Sequence, residues 1–171
     1  VTLAAIVWTA CDFRRLAADP GARKARLTGI GALTGALLFV QLLLGAWVAG
    51  LNAGLASDSW PLMQGRIVPE VSFRNGFVWT VTHDHFLLHF LHRWWAWMAV
   101  AALVVLARRA RKAGDRAASV AVHSAFGTQI LLGIATVMTG VSLWIAVLHQ
   151  LVGALLVAAT AWAAHSVGRR E

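Results

Sequence analysis

The sequence predicts an all-α polytopic membrane protein built as a four-transmembrane-helix bundle. Three observations carry that expectation. Hydrophobic residues make up 59% of the chain at a mean hydropathy of +0.69, and only 13% of residues are charged; soluble domains carry about 25% charged residues. Four apolar stretches are each long enough to cross a hydrocarbon core of ~30 Å at ~1.5 Å per residue. The basic residues cluster in short segments between those stretches, which marks membrane topology rather than a nucleic-acid surface. The net charge of +8 therefore implies a lipid bilayer as partner and no nucleic acid. Nine Trp and no Tyr suit interfacial anchoring and packing against a flat ligand. A single cysteine, Cys11, excludes an intramolecular disulfide and a thiolate-bound zinc or iron–sulfur site within this chain.

The chain begins at Val1, without Met, inside an apolar run of residues 1–10 that is too short to span a membrane. That run is expected to be the tail of a helix cut off upstream, and the chain to be part of a longer protein. Residues 11–28 hold Arg14, Arg15, Arg23, Lys24 and Arg26 around Pro20 and Gly21 and are expected to form a basic loop. Residues 1–26 thus make one unit, a truncated helix end plus a cytoplasmic loop, and 27–171 make the four-helix domain. The first span, about 27–50, carries Gly29, Gly31, Gly35, Gly45 and Gly50, small residues that let helices approach closely. Residues 51–85 form the longest polar segment. The second span is about 86–107, followed by Arg108, Arg109, Arg111, Lys112 and Arg116 around a turn at Gly114 and Asp115. The third span, about 119–139, and the fourth, about 142–165, are joined by a short uncharged turn at Gly140. Alternation of the basic segments puts them and the C-terminus on the cytoplasmic side of a cell inner membrane, with the 51–85 loop and the Gly140 turn outside. A faint internal echo links Gln41-Leu-Leu-Leu-Gly45 of the first span to Gln129-Ile-Leu-Leu-Gly133 of the third.

Histidines inside such spans are costly without a partner and so are functional candidates. His92 lies six residues into the second span, or ~9 Å by helical rise, and His149 seven into the fourth, or ~10 Å. Both spans run the same way, so the two imidazoles reach matching depths. Two histidines at one level of a four-helix bundle are what a six-coordinate haem iron needs. Gly153, one turn below His149, is expected to leave room for a ring edge. His85, His89 and His92 share a helix face; His89 is a candidate for lining the pocket or meeting a propionate, or else is an interfacial polar residue. Arg93 suits a propionate through its fork of donors, or snorkels to headgroups. Arg66 and Arg74 are weaker propionate candidates. His83 and His85 could bind a surface metal, His123 and His165 are expected at the opposite interface, and Gln41 and Gln129 are expected to make interhelical hydrogen bonds.

The motifs Gln41-x-x-x-Gly45-Ala46-x-Val48-Ala49-Gly50-Leu51-x-Ala53-Gly54, Trp60-Pro61-Leu62-Met63, Phe90-x-His92-Arg93 with Trp97, Leu132-Gly133-Ile134-Ala135-Thr136 and Leu148-His149-Gln150 resemble those of haem A synthase, in the branch found in proteobacteria and mitochondria. The resemblance covers nearly the whole chain. It implies an eight-helix fold of two similar halves, of which this chain resembles the carboxy-terminal one. It implies an oxidoreductase that converts the methyl group of haem O to the formyl of haem A for cytochrome oxidase assembly. It also implies haem b as cofactor, with His92 and His149 as axial iron ligands. Haem O as substrate, and haem O synthase and the oxidase assembly machinery as partners, follow from the same resemblance, which leaves a homo-oligomer open. In the family's first half a Glu implicated in the oxidation stands three residues before the His-Arg histidine. His89 stands there in this chain, and no acidic residue lies within the four spans. The catalytic Glu and the haem O site are therefore expected in the other half, and this chain alone is expected to be inactive. The cysteine pair of the family's other branch is also absent. Two further functions fit the residues less fully: a bis-histidine b-type cytochrome acting only in electron transfer, and a haem-free scaffold or transporter bundle.

Overall fold

A computed structural model of the chain describes residues 1–169. Its helices are α1 (Thr2–Ala18), α2 (Gly29–Gly50), α3 (Phe77–His83), α4 (His85–Lys112), α5 (Arg116–Met138) and α6 (Leu143–Gly168). A short 3-10 turn, Ala53–Ala56, follows α2. No β-strand occurs among the described residues; the closest approach to one is a single antiparallel bridge between Met63 and Arg66. Helices α2, α4, α5 and α6 are long and apolar enough to cross a membrane, so the chain is a polytopic helical bundle.

The helix starts are set by side-chain caps that accept otherwise unpaired amide protons. Thr28 caps α2 through the Gly31 amide at 3.2 Å, Asp84 caps α4 through Leu87 at 2.8 Å, and Asp115 caps α5 through Ala118 at 2.9 Å. Gly114, at φ +87°, supplies the left-handed residue that lets α4 turn into α5. At the other end, Gly140 and Val141 both take positive φ between α5 and α6. A β-branched residue there is strained. Val141 is held by its amide's bond to the Thr136 carbonyl at 2.8 Å and packs its methyl against Gly54, where an added Cβ would lie only 3.1 Å away.

Two expected boundaries move. The first helix does not stop near residue 10 but continues through Ala18, because Arg14, Arg15, Leu16, Ala17 and Ala18 are good helix formers; the loop proper starts at Asp19 and Pro20. The 51–85 segment is not uniformly irregular, since it contains the 3-10 turn and α3.

Packing is uneven along the bundle axis. The fully buried core gathers Leu103, Leu106, Ala107, Val122, Leu156 and Ala163, on the halves of α4, α5 and α6 that lie toward the basic segments. Alanines dominate there and let the helices close up. On α5 no residue between Val122 and Val137 is fully buried, and on α6 none precedes Gly153. Burial on α5 and α6 is therefore concentrated at the basic end, while at the level of His92 and His149 the buried residues lie mainly on α4 and the 51–85 segment, among them Leu88, His89, Arg93 and Met63. The basic end is fastened by polar ties. The Arg26 amide donates to the Gly168 carbonyl at 3.2 Å, Ser166 donates to Asp115 at 2.5 Å, and His165 meets Asp12 at 2.9 Å.

Candidate functional site

His92 is the seventh residue after the start of α4, and His149 the sixth after the start of α6. Helical rise puts them ~10 and ~9 Å along their helices. Each imidazole rests against the helix that precedes its own membrane helix, and the two seats have the same construction. On α2, the Gln41 amide nitrogen lies 3.1 Å from His92 Nδ1, 3.4 Å from its Nε2 and 3.1 Å from its backbone carbonyl. One turn along, a Cβ added at Gly45 would stand 3.0 Å from His92 Cε1. On α5, the Gln129 amide nitrogen lies 3.1 Å from His149 Nε2, and a Cβ added at Gly133 would stand 3.1 Å from His149 Cε1. The glutamine holds a ring nitrogen, and the glycine four residues on lets the ring lie against the helix backbone. The faint Gln-x-x-x-Gly echo is therefore a repeated histidine seat.

The other candidate residues fall out as follows. Gly153 is buried, but the space beside it is taken by the Gln129 amide, whose nitrogen would be 3.3 Å from an added Cβ; it makes room for the side chain that holds His149. His89 and Arg93 are both buried and bonded to each other, with Arg93 Nε donating to His89 Nε2 at 3.0 Å. The rest of the Arg93 fork turns to the 51–85 loop, donating to the Ser59 carbonyl at 3.0 Å and the Ser57 carbonyl at 3.4 Å. The guanidinium also lies 5.6 Å from the Trp60 ring. Here Arg93 ties the loop to α4 rather than reaching a headgroup. Because Arg93 can only donate, His89 must present a lone pair at Nε2. Its proton then sits on Nδ1, which is buried with no partner.

Arg66 pairs with Glu70 on the surface. His83 stacks on Trp79 and bonds Thr82 at 2.8 Å. No group of three or more His, Cys, Asp or Glu side chains placed to hold a metal occurs among the described residues. His123 is exposed and bonds the Ser119 carbonyl at 2.8 Å. His165 lies in the last turn of α6, at the expected end, but is covered there: it is 4% exposed, paired with Asp12 and set edge-on against Trp8 at 5.2 Å. The reason is that α1 packs over the end of α6 and covers it. A groove of about 680 Å³ runs between α1, α5 and α6 past Cys11 and Trp162, and no histidine lines it.

A bis-imidazole haem fits the donor set at the His92 and His149 level. The site offers two neutral-nitrogen donors, one on each of two helices. Burial leaves His149 Nδ1, Gln41 Oε1 and Gln129 Oε1 unpartnered. Unpartnered buried polar atoms are rare in folded proteins and mark a site that awaits a further partner.

Fold and site together define a polytopic helical membrane protein with two intramembrane histidines in duplicated glutamine–glycine seats. The chain belongs to the family described as cytochrome oxidase assembly protein, COX15-CtaA, whose model matches residues 1–161. It is 65% identical over 166 residues to the haem A synthase of Erythrobacter litoralis, covering 97% of this chain and 49% of that one. It is 57% identical over 170 residues to the haem A synthase of Sphingopyxis alaskensis, covering 99% and 48%. It is 55% identical over 178 residues to that of Novosphingobium aromaticivorans, covering 99% and 50%. The chain thus spans about half the length of the curated relatives it matches. No solved structure matches it.

Proposed function

We propose that this chain is the haem b-binding, carboxy-terminal half of a haem A synthase, the enzyme that oxidises the methyl group of haem O to the formyl of haem A for cytochrome oxidase assembly. The single observation that carries the assignment is the duplicated seat, in which His92 and His149 are each held by a glutamine and a glycine of the neighbouring helix. His92 and His149 would hold the haem iron through ring-nitrogen lone pairs. A haem b held there would supply one-electron redox chemistry. His89 offers its unpartnered Nδ1 proton to an acceptor on the loop side of the pair. Arg93 holds His89 in that tautomer and closes the 51–85 loop over α4. The apolar helices surround both imidazoles with side chains that do not compete for their nitrogens.

No acidic residue occurs in α2, α4, α5 or α6, so the group that assists oxidation of haem O, and the haem O site itself, belong to the other half of the enzyme. The family's description as a cytochrome oxidase assembly protein supports the oxidase assembly machinery as a functional neighbour, and haem O synthase is the expected supplier of the substrate. The Lys and Arg residues at one end of the bundle support a bacterial plasma membrane location with that end cytoplasmic.

The test is a reduced-minus-oxidised optical spectrum with pyridine haemochrome quantification. It uses the full-length protein, including any sequence beyond these residues, purified in detergent. The His92→Ala, His149→Ala double variant is expected to lose the low-spin b-type component, and His123→Ala to keep it. A double variant that retains the component at the wild-type level would remove the ligand assignment.

A further inference from the structure

Gln41 and Gln129 are the residues that address the two imidazoles, and each has an oxygen left over. The orientation of Gln41 follows from chemistry, since the His92 carbonyl 3.1 Å away can only accept. The amide nitrogen must therefore face His92, and Oε1 faces away, buried without a partner. Gln129 is in the same condition, with its nitrogen on His149 and its Oε1 orphaned. In water such an oxygen would be solvated. In an apolar bundle it carries a desolvation cost that persists unless another state uses the atom.

The histidine chemistry supplies that state. A neutral imidazole that gives one nitrogen's lone pair to iron carries its proton on the other nitrogen. That N–H needs an acceptor, and metal-bound histidines nearly always have one. A half-turn about the last side-chain torsion exchanges the amide's oxygen and nitrogen without moving the chain that carries them. For Gln41 the exchange gains a bond from the ring but gives up the one to the His92 carbonyl, so the side chain must also draw its oxygen back from that carbonyl, and the NH2 takes the place the oxygen held.

We propose that Gln41 and Gln129 are positioning residues of the haem site, whose amide oxygens accept the imidazole N–H of His92 and His149 and thereby fix the tautomer and plane of both iron ligands. The proposal rests on His92 and His149 being iron ligands. Gly45 and Gly133 are the other half of each device, because the ring reaches the amide only by lying where a Cβ would be.

The experiment is a potentiometric titration of the b-type haem in the full-length protein, with low-spin electron paramagnetic resonance of the ferric form. The variants are Gln41→Glu, Gln41→Met and the same pair at Gln129. A carboxylate is a stronger acceptor than an amide; it gives the ring imidazolate character and favours ferric iron. A thioether of similar length removes the acceptor. The expected result is a lower potential with Glu and a higher one with Met, each of the order of tenfold in the ferric-to-ferrous affinity ratio, or about 59 mV for one electron. A packing role alone would not give shifts of opposite sign. If Met at either site prevents folding, Gln→Asn, too short to reach the ring, takes its place with the same expected direction. Unchanged potentials, or shifts of one sign in all variants with haem still bound, overturn the proposal. A folded wild-type protein without bis-histidine haem overturns the ligand assignment itself, and is told apart by the absence of any such spectrum.

Discussion

The Gly45→Ala substitution puts the histidine seat under direct strain. The added methyl carbon stands 3.0 Å from His92 Cε1, whereas carbon pairs settle at about 3.5–4.0 Å. The ring or the helix must therefore retreat by about 0.5 Å. Overpacking of that size costs about 1–3 kcal/mol, offset by about 0.8–1.0 kcal/mol from replacing a helical glycine with alanine. Gly35 lies on the same helix with nothing within 4 Å of its added Cβ, so Gly35→Ala collects the helix gain alone. The difference between the two variants isolates the crowding, about 1–3 kcal/mol. If the strain is released by moving the ring, it shows as weaker haem retention of about 5- to 150-fold. Gly133→Ala against Gly127→Ala repeats the comparison on α5, where the distances are 3.1 Å and nothing within 4 Å. The assays are thermal unfolding by tryptophan fluorescence and haem loss during gel filtration, both on the full-length protein in detergent. Gly45→Ala indistinguishable from Gly35→Ala in both assays would refute the seat.

Three other perturbations have defined outcomes. Arg93→Ala strips the Ser57 and Ser59 carbonyls and His89 Nε2 of their donor, at about 1.5–3 kcal/mol for a charged hydrogen bond. Limited proteolysis within 51–85 is expected to accelerate, and Arg93→Lys, lacking the fork, to rescue little; cleavage at the wild-type rate would contradict this. Asp12→Ala leaves His165 buried without its partner, at about 1–3 kcal/mol, read as a lower unfolding temperature that His123→Ala does not reproduce. Asp115 sits in the turn between α4 and α5. Burial pushes its carboxyl up, but hydrogen bonds from Ser166 and the Ala118 amide and the nearby Arg169 cation outweigh that and hold it below 3.8. A depressed carboxyl stabilises the fold above its unfolded value and loses that contribution as pH falls through the folded one. Unfolding temperature followed from pH 7 to pH 3 is expected to drop less steeply at the acid end in Asp115→Asn than in wild type; parallel curves would show that Asp115 contributes nothing.

The four membrane helices were legible because apolar length and basic punctuation are local properties, and α2, α4, α5 and α6 lie close to their expected limits. The positions of His92 and His149 along their helices were legible for the same reason, since helical rise needs only a starting residue. What could not be read depends on contacts between distant segments. Asp12 and His165 are 153 residues apart, and nothing near either one signals the other, so their buried pairing had no local signature. Arg93 pointed to any anion from its own chemistry; its actual partners are backbone carbonyls of a loop whose path is not written in a periodic pattern. Gln41 and Gln129 stood in plain view as a repeated motif. Their task needed the helix pairing that sets each one against a histidine of the next membrane helix.

The Asp12–His165 tie has a mechanical corollary. His165 and His149 lie on one uninterrupted helix, α6, separated by 16 residues or ~24 Å of rise. Both levels of the helix are held, His165 under α1 by Asp12 and His149 against α5 by its glutamine–glycine seat. A tilt of only ~5° about the α1 tie would carry the His149 ring through ~2 Å, given that ~24 Å arm, enough to break its contact with Gln129. The two holds therefore constrain one rod, and the alignment of the His149 ring answers to α1 as well as to α5.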